Sequence, residues 1–165
     1  MQPLLTRSDI ARYRQIAKTS NDDKLNEMIL DAQLLDLQPL LGERLFNEIM
    51  DKPDEHTELL NGGIYEHNGI SYSNYGLKMV LSYFAYARYL MFGSVTDTPF
   101  SVVEKLNSDS RPVEASAKKT MYQLNRDAAL QIWSNVNNYL IRTKHPGFTK
   151  CKSRGTQGLR FTKIR

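Results

Sequence analysis

Cysteine is almost missing from this sequence. Cys151 stands alone, which excludes an internal disulfide, and no histidine or second cysteine lies near it at zinc-ligand spacing. His56, His67 and His145 are too scattered for a zinc motif. Long hydrophobic runs are missing too: the greasiest stretch, residues 79–92, MVLSYFAYARYLMF, is too short to cross a bilayer and carries Arg88. It reads as a buried core helix, and no membrane partner is expected. The first residues, MQPLLTRSDIARYR, lack the basic start and apolar run of a secretory signal, so synthesis in the cytoplasm is expected. There is no Gly-rich phosphate loop, no G-x-S-x-G and no HExxH. The expectation is a protein that is not an enzyme, with no catalytic residue, no metal and no cofactor. Asp22 and Asp23, and Asp51, Asp54 and Glu55, stand at expected helix boundaries, where carboxylates favour the helix dipole over metal ligation. His67 borders a turn and reads as solvated.

Acid is missing from one region in particular. Residues 142–165 carry Arg142, Lys144, Lys150, Lys152, Arg154, Arg160, Lys163 and Arg165 and no Asp or Glu, a charge of +8. Residues 1–141 hold the other 14 Lys and Arg against all 18 Asp and Glu, a charge of −4. The overall +4 therefore hides a mildly acidic body and a strongly basic tail. With few large apolar residues, the tail reads as an extended arm that cannot fold alone. The division is a 1–141 helical domain with a hairpin insertion and a 142–165 arm. Apolar residues make up 41% of the chain, enough for one core without staples.

What is present is mostly helical spacing. Thr6 and Asp9 form a capping-box pair that opens a first helix ending near Ala17. Asn21 or Asp22 caps a second, whose stripe is Leu25, Met28, Ile29, Ala32 and Leu35. Pro39 is expected to break the pattern and restart a third helix burying Leu41, Leu45, Ile49 and Phe46. A turn of helix around HTELL ends at Asn61-Gly62-Gly63. Residues 64–72 then change grammar: Ile64, Tyr65, Ile70 and Tyr72 flank Asn68-Gly69, a dipeptide suited to the positive φ angles of a tight hairpin. Ser73 or Asn74 caps a central helix, about 75–92, apolar on nearly every side. Residues 98–106, bounded by Pro99, read as an extended segment, Phe100 to Leu106 being an edge strand or arm. A last helix, about 115–141, repeats Ala117, Met121, Leu124, Ala128, Ile132, Trp133, Val136 and Leu140. The fold class is mainly α, a helical bundle with one small hairpin.

The runs LTRSDIARYRQIA, DAQLLDLQPLLGERLFNEIM, LLNGGIYEHNGISYSNYGLKMVLSYFAYARYLM and TPFSVVEKLNSDSRPVE resemble the small head-to-tail connector proteins of tailed phages. The resemblance covers residues 4 to about 141, is strongest to versions from phages and prophages of Bacteroidetes, crAss-like phages among them, and leaves the basic tail uncovered. It implies a virion protein of the neck between capsid and tail, present in the host cytoplasm during assembly. It implies a homo-oligomeric ring, usually of 12 copies, bound to the portal protein and to neighbouring tail or adaptor ring proteins, with DNA only passing through the channel.

A lone two-stranded ribbon is marginal in water, so the hairpin needs a surface to lie against. Tyr65, Asn68, Gly69, Tyr72, Phe100 and Val102 are the candidate subunit or portal interface. Pairing of the hairpin with Phe100–Leu106 inside one chain is the competing expectation. Phe148, Lys150, Arg154, Leu159, Arg160, Phe161, Ile164 and Arg165 are the candidate anchors of the arm, since LRFTKI alternates like a strand that adds to a partner's edge. The alternative function is a nucleic-acid-binding protein that uses the basic tail, although no helix-turn-helix, zinc or RNA-binding signature accompanies it.

Overall fold

The computed structural model describes residues 1–18, 22–99, 101–104 and 113–148, without the side chains of 96, 97 and 102–104. Thr6 caps α1 (Arg7–Ala11) through the reciprocal bonds of a capping box with Asp9. The helix stops well before Ala17, and the chain turns so that the Arg14 guanidinium lies 4.0 Å over the Tyr83 ring. The cap expected at Asn21 lies outside the described residues. Asp22 occupies the cap position of α2 (Asp23–Ala32) without a capping bond and pairs with Arg7 instead.

Pro39 does not break the second helix. The chain passes from α2 through a π turn, Gln33–Leu37, into α3 (Gln38–Leu41), with the Gln38 amide donating to the Gln33 carbonyl five residues back. Proline has no N–H to donate and its ring crowds the preceding turn, and a widened turn removes both conflicts. The extra residue also rotates the stripe. Leu35, expected inside, is 60% exposed, while Gln33, Asp36 and Leu37 are buried. The true break is Gly42, at φ +80°, after which α4 (Glu43–Asp51) buries Leu45, Phe46 and Ile49 as its spacing predicts.

A 3₁₀ turn, Pro53–His56, leads into α5 (Thr57–Asn61) and then the hairpin, β1 (Gly63–His67) and β2 (Ile70–Asn74). The register pairs Tyr65 with Tyr72 and His67 with Ile70. Asn68 (φ 52°) and Gly69 (φ 73°) make the two-residue turn, and both positive angles are those of a primed hairpin turn. Neither Ser73 nor Asn74 is the helix cap: α6 (Leu77–Phe92) has Gly76 there.

Helix α6 is the centre of the bundle, packed against α1, α2, α5, the π turn and α7 (Ala115–Arg142). Leu77, Val80, Leu81, Phe84 and Ala85 from α6 join Leu25, Ile29, Leu45, Phe46, Trp133, Val136 and Leu140 in one core. The Lys118 ammonium bonds Ser94 beyond the end of α6, and Asn135 bonds Tyr75 before its start, so α6 and α7 run antiparallel. Only the C-terminal half of α7 is core. Met121 and Leu124, expected inside, stand 38% and 63% exposed, because the inward face of α7 runs through Tyr122, Arg126 and Ala129 instead, with Arg126 over the Phe84 ring of α6.

Within residues 98–106 the Thr98 amide bonds the Ser101 carbonyl across a turn, the expected strand is present at 102–104, and residues 100, 105 and 106 lie outside the described residues. Val102–Glu104 forms strand β4, which pairs antiparallel with β3 (Val95–Asp97) as a second two-stranded sheet. It does not pair with β1 or β2, so the two ribbons are separate sheets. No described helix is long and apolar enough to cross a membrane.

Candidate functional site

The first hairpin lies against the last turns of α7. Asn135 fastens β2: its Nδ2 donates to the Ser73 carbonyl at 2.9 Å and its Oδ1 accepts the Tyr75 amide at 3.0 Å. Tyr65 meets the Tyr139 ring edge to face at 4.9 Å and stacks on Tyr72 at 5.7 Å. Arg142 closes the cluster, with its guanidinium 3.9 Å above the Tyr72 ring and its Nη1 donating to the Tyr65 hydroxyl at 3.0 Å. Burial first, then Glu58, raises the Tyr139 pKa above the ordinary phenol value, so the cluster keeps a neutral hydroxyl at any physiological pH.

The base of the hairpin is fixed by close backbone approach. A Cβ on Gly76 would come 2.5 Å from the Gly62 nitrogen, and one on Gly62 would come 2.4 Å from the Asn74 carbonyl oxygen. Both glycines also hold positive φ, which side chains resist. Buried Asn74 completes the corner, donating to the Glu58 carbonyl at 3.0 Å and accepting the Gly76 amide at 3.1 Å. The ribbon is therefore an arm locked to the body.

Its other face has no partner among the described residues. Strands alternate sides, so when Tyr65 and Tyr72 turn inward, Ile64, Glu66, Ser71 and Ser73 turn out. Ile64 is 81% exposed, and Ile70 at the tip is 56% exposed. Asn68 and Gly69 form the exposed end. Of the interface residues picked from sequence, Tyr65 and Tyr72 thus contact α7 of their own chain, and Val102 sits in β4. Phe100 lies outside the described residues.

The tail begins differently from expectation. Residues 143–148 fold back on the body: the His145 amide bonds the Leu140 carbonyl, and Gly147 at φ +83° lies against the Glu48 carboxylate. Phe148 is half-buried, with its ring edge-on to Trp133 at 6.4 Å. Residues 143–148, expected in the arm, thus pack on the body, and Arg142 belongs to the hairpin dock. Lys150, Arg154, Leu159, Arg160, Phe161, Ile164 and Arg165 lie outside the described residues. Burial, and secondarily His56 at 5.6 Å, lowers the His145 pKa below the ordinary imidazole value, against the Pro146 carbonyl and Glu48.

Sequence reading missed Asn135, Tyr139 and Arg142, which carry no local motif, and a buried charge cluster. Asp36, buried at the π turn, accepts from Arg88 Nε at 2.8 Å and lies 3.0 Å from Arg126 Nη2, an ion contact without hydrogen-bond alignment. Arg126 donates its other nitrogen to the Tyr122 hydroxyl at 2.7 Å. One carboxylate thus ties the π turn to α6 and α7. The signal was Arg88 inside the greasiest helix, where a lone cation needs an acid. Among the described residues no group of His, Cys, Asp and Glu could hold a metal ion.

Residues 37–158 match the Family of unknown function (DUF6712), well over half of the 165 residues, and the chain belongs to that family. No curated protein matches the chain, and no solved structure does.

Proposed function

We propose that this member of the DUF6712 family is a structural connector of a phage neck, a ring-forming adaptor that joins portal to tail. The observation that carries the reading is the docked hairpin. A ribbon held rigidly by Asn135, Arg142 and the crossed glycines, yet showing Ile64 and the outer edge of β1, unpaired among the described residues, is built to meet another molecule. A ring needs two unlike surfaces on each copy. The hairpin sits at one end of α7, while Met121 and Leu124 are exposed about 27 Å away along the helix axis, by the rise from Leu124 to Arg142. Leu34 and Leu35 of the π turn are exposed as well. The acidic balance of residues 1–141 suits a channel wall that must let DNA slide without gripping phosphates. Twelve copies and a portal partner follow from the phage resemblance.

The test is the mass of the full-length protein with and without a portal protein from a related phage, for wild type and for Asn68→Val with Gly69→Val. Wild type forms a ring or a portal-bound complex. The double variant keeps its helical circular dichroism and loses assembly, because valine resists both positive φ angles. Normal assembly by the double variant would remove the hairpin from the interface. A salt-sensitive DNA complex of a monomer would instead favour the nucleic-acid reading.

A further inference from the structure

The opening residues of the chain and α4 enclose a half-open groove of about 680 Å³, lined by Pro3, Leu4, Met50 and Pro53 with Asn47 and Asp51 on its rim. The rim belongs to an acidic stretch of the described surface. Residues 43–58 hold Glu43, Glu48, Asp51, Asp54, Glu55 and Glu58 against Arg44 and Lys52. Both of those cations are already paired, with Glu48 and Glu55. Asp51 and Asp54 are exposed and have no ion-pair partner among the described residues. An apolar slot beside uncompensated carboxylates fits an extended peptide that alternates basic and apolar residues.

The chain contains such a peptide. Residues 149–165 carry Lys150, Lys152, Arg154, Arg160, Lys163 and Arg165 with no acid, and Leu159, Phe161 and Ile164 alternate with polar neighbours. The segment also begins beside the groove, since Gly147 rests on Glu48 and Phe148 on Trp133. We propose that residues 149–165 of one copy dock in the α4 groove of an adjoining copy. Charge guides the approach and the apolar residues set the lifetime. Length admits the adjoining copy. Glu48 and Asp51 are neighbours on one helix face, so the home groove is a few residues from the root, whereas 17 residues span up to about 58 Å when extended. The proposal rests on the connector reading only for the presence of adjoining copies.

A charge swap in the full chain tests it by sedimentation at several protein and salt concentrations. One variant reverses the arm, Lys150→Glu, Lys152→Glu and Arg154→Glu. The other reverses the rim, Asp51→Lys, Asp54→Lys and Glu55→Lys. Wild type associates, and salt weakens the association. Each variant alone keeps its helical circular dichroism and associates at least about tenfold more weakly. Their equimolar mixture recovers association, because the basic arm of one meets the acidic rim of the other. Phe161→Ala weakens association at unchanged charge. Wild-type association by either variant, a mixture that fails to recover, or a wild type that is monomeric throughout would overturn the proposal. The two readings fail separately. Rings on the portal from wild type and both variants alike would remove the docking and keep the connector, while recovery in the mixture with no portal complex would do the reverse.

Discussion

Asp36 is the residue on which most depends. It is nearly inaccessible, and its two guanidinium partners come from different helices, Arg88 at 11% side-chain exposure and Arg126 at 32%. Removing the acid strands two cations, one of them deep. Asp36→Ala is expected to cost about 3 kcal/mol in urea unfolding, at the lower end of the range for breaking buried pairs because Arg126 keeps water and Tyr122. Replacing Asp36 together with Arg88 by apolar residues costs less than Asp36→Ala alone, since the buried cation goes too. His145 gives a pH dependence whose sign is fixed by its lowered pKa. The unfolded imidazole takes a proton more readily than the folded one, so its contribution is complete above about pH 6.5 and is lost as the pH falls through the folded pKa. Thermal melts of wild type and His145→Gln between pH 7.5 and 5 check this, and the variant shows the shallower loss.

At the scale of the element, the hairpin and the body are held by different interactions. The ribbon has no hydrophobic layer of its own beyond Tyr65 and Tyr72, so its order depends on the α7 dock. Arg142→Ala removes one hydrogen bond and one cation–π contact, together about 1–2 kcal/mol. The expected effect is local: faster amide exchange in β1 and β2 with unchanged protection in α6. Equal loss in α6 would mean that the hairpin is integral to the core. Gly76→Ala acts at the same junction with a larger effect, because the added carbon meets backbone that cannot yield.

For the whole molecule, the ring reading makes a demand that a two-fold dimer does not. A head-to-tail interface uses different patches on the two partners, so blocking either patch stops growth, and two differently blocked copies can still pair once. Ile64→Asp on the hairpin and Leu124→Asp on α7 both change exposed side chains, so both variants are expected to fold. With the arm reversed as well, by Lys150→Glu, Lys152→Glu and Arg154→Glu, each alone remains monomeric by native mass spectrometry, and their mixture gives a heterodimer and nothing larger. A mixture that stays monomeric would show that these two patches do not meet.

The sequence alone determined the elements whose cause is local. Thr6 and Asp9 wrote the first cap, Asn68-Gly69 the hairpin turn, and apolar spacing the positions of α4, α6 and α7, because caps, turns and periodicity act over a few residues. It also located the core face of α4 down to Leu45, Phe46 and Ile49. Only the tertiary structure decided the rest. Pro39 looked like a break, but the burial of Gln33 and Asp36 goes with a widened turn that carries the helix past it. Met121 and Leu124 fit the apolar spacing of α7, but the face that meets α6 runs through Tyr122, Arg126 and Ala129 and leaves them uncovered. Arg142 reads as the start of a basic tail until Tyr65 and Tyr72, some 70 residues earlier, arrive beneath it. Such pairings have no signature in the chain, since the contact exists only after distant segments have been brought together, and that is why the hairpin was legible from the sequence while its dock was not.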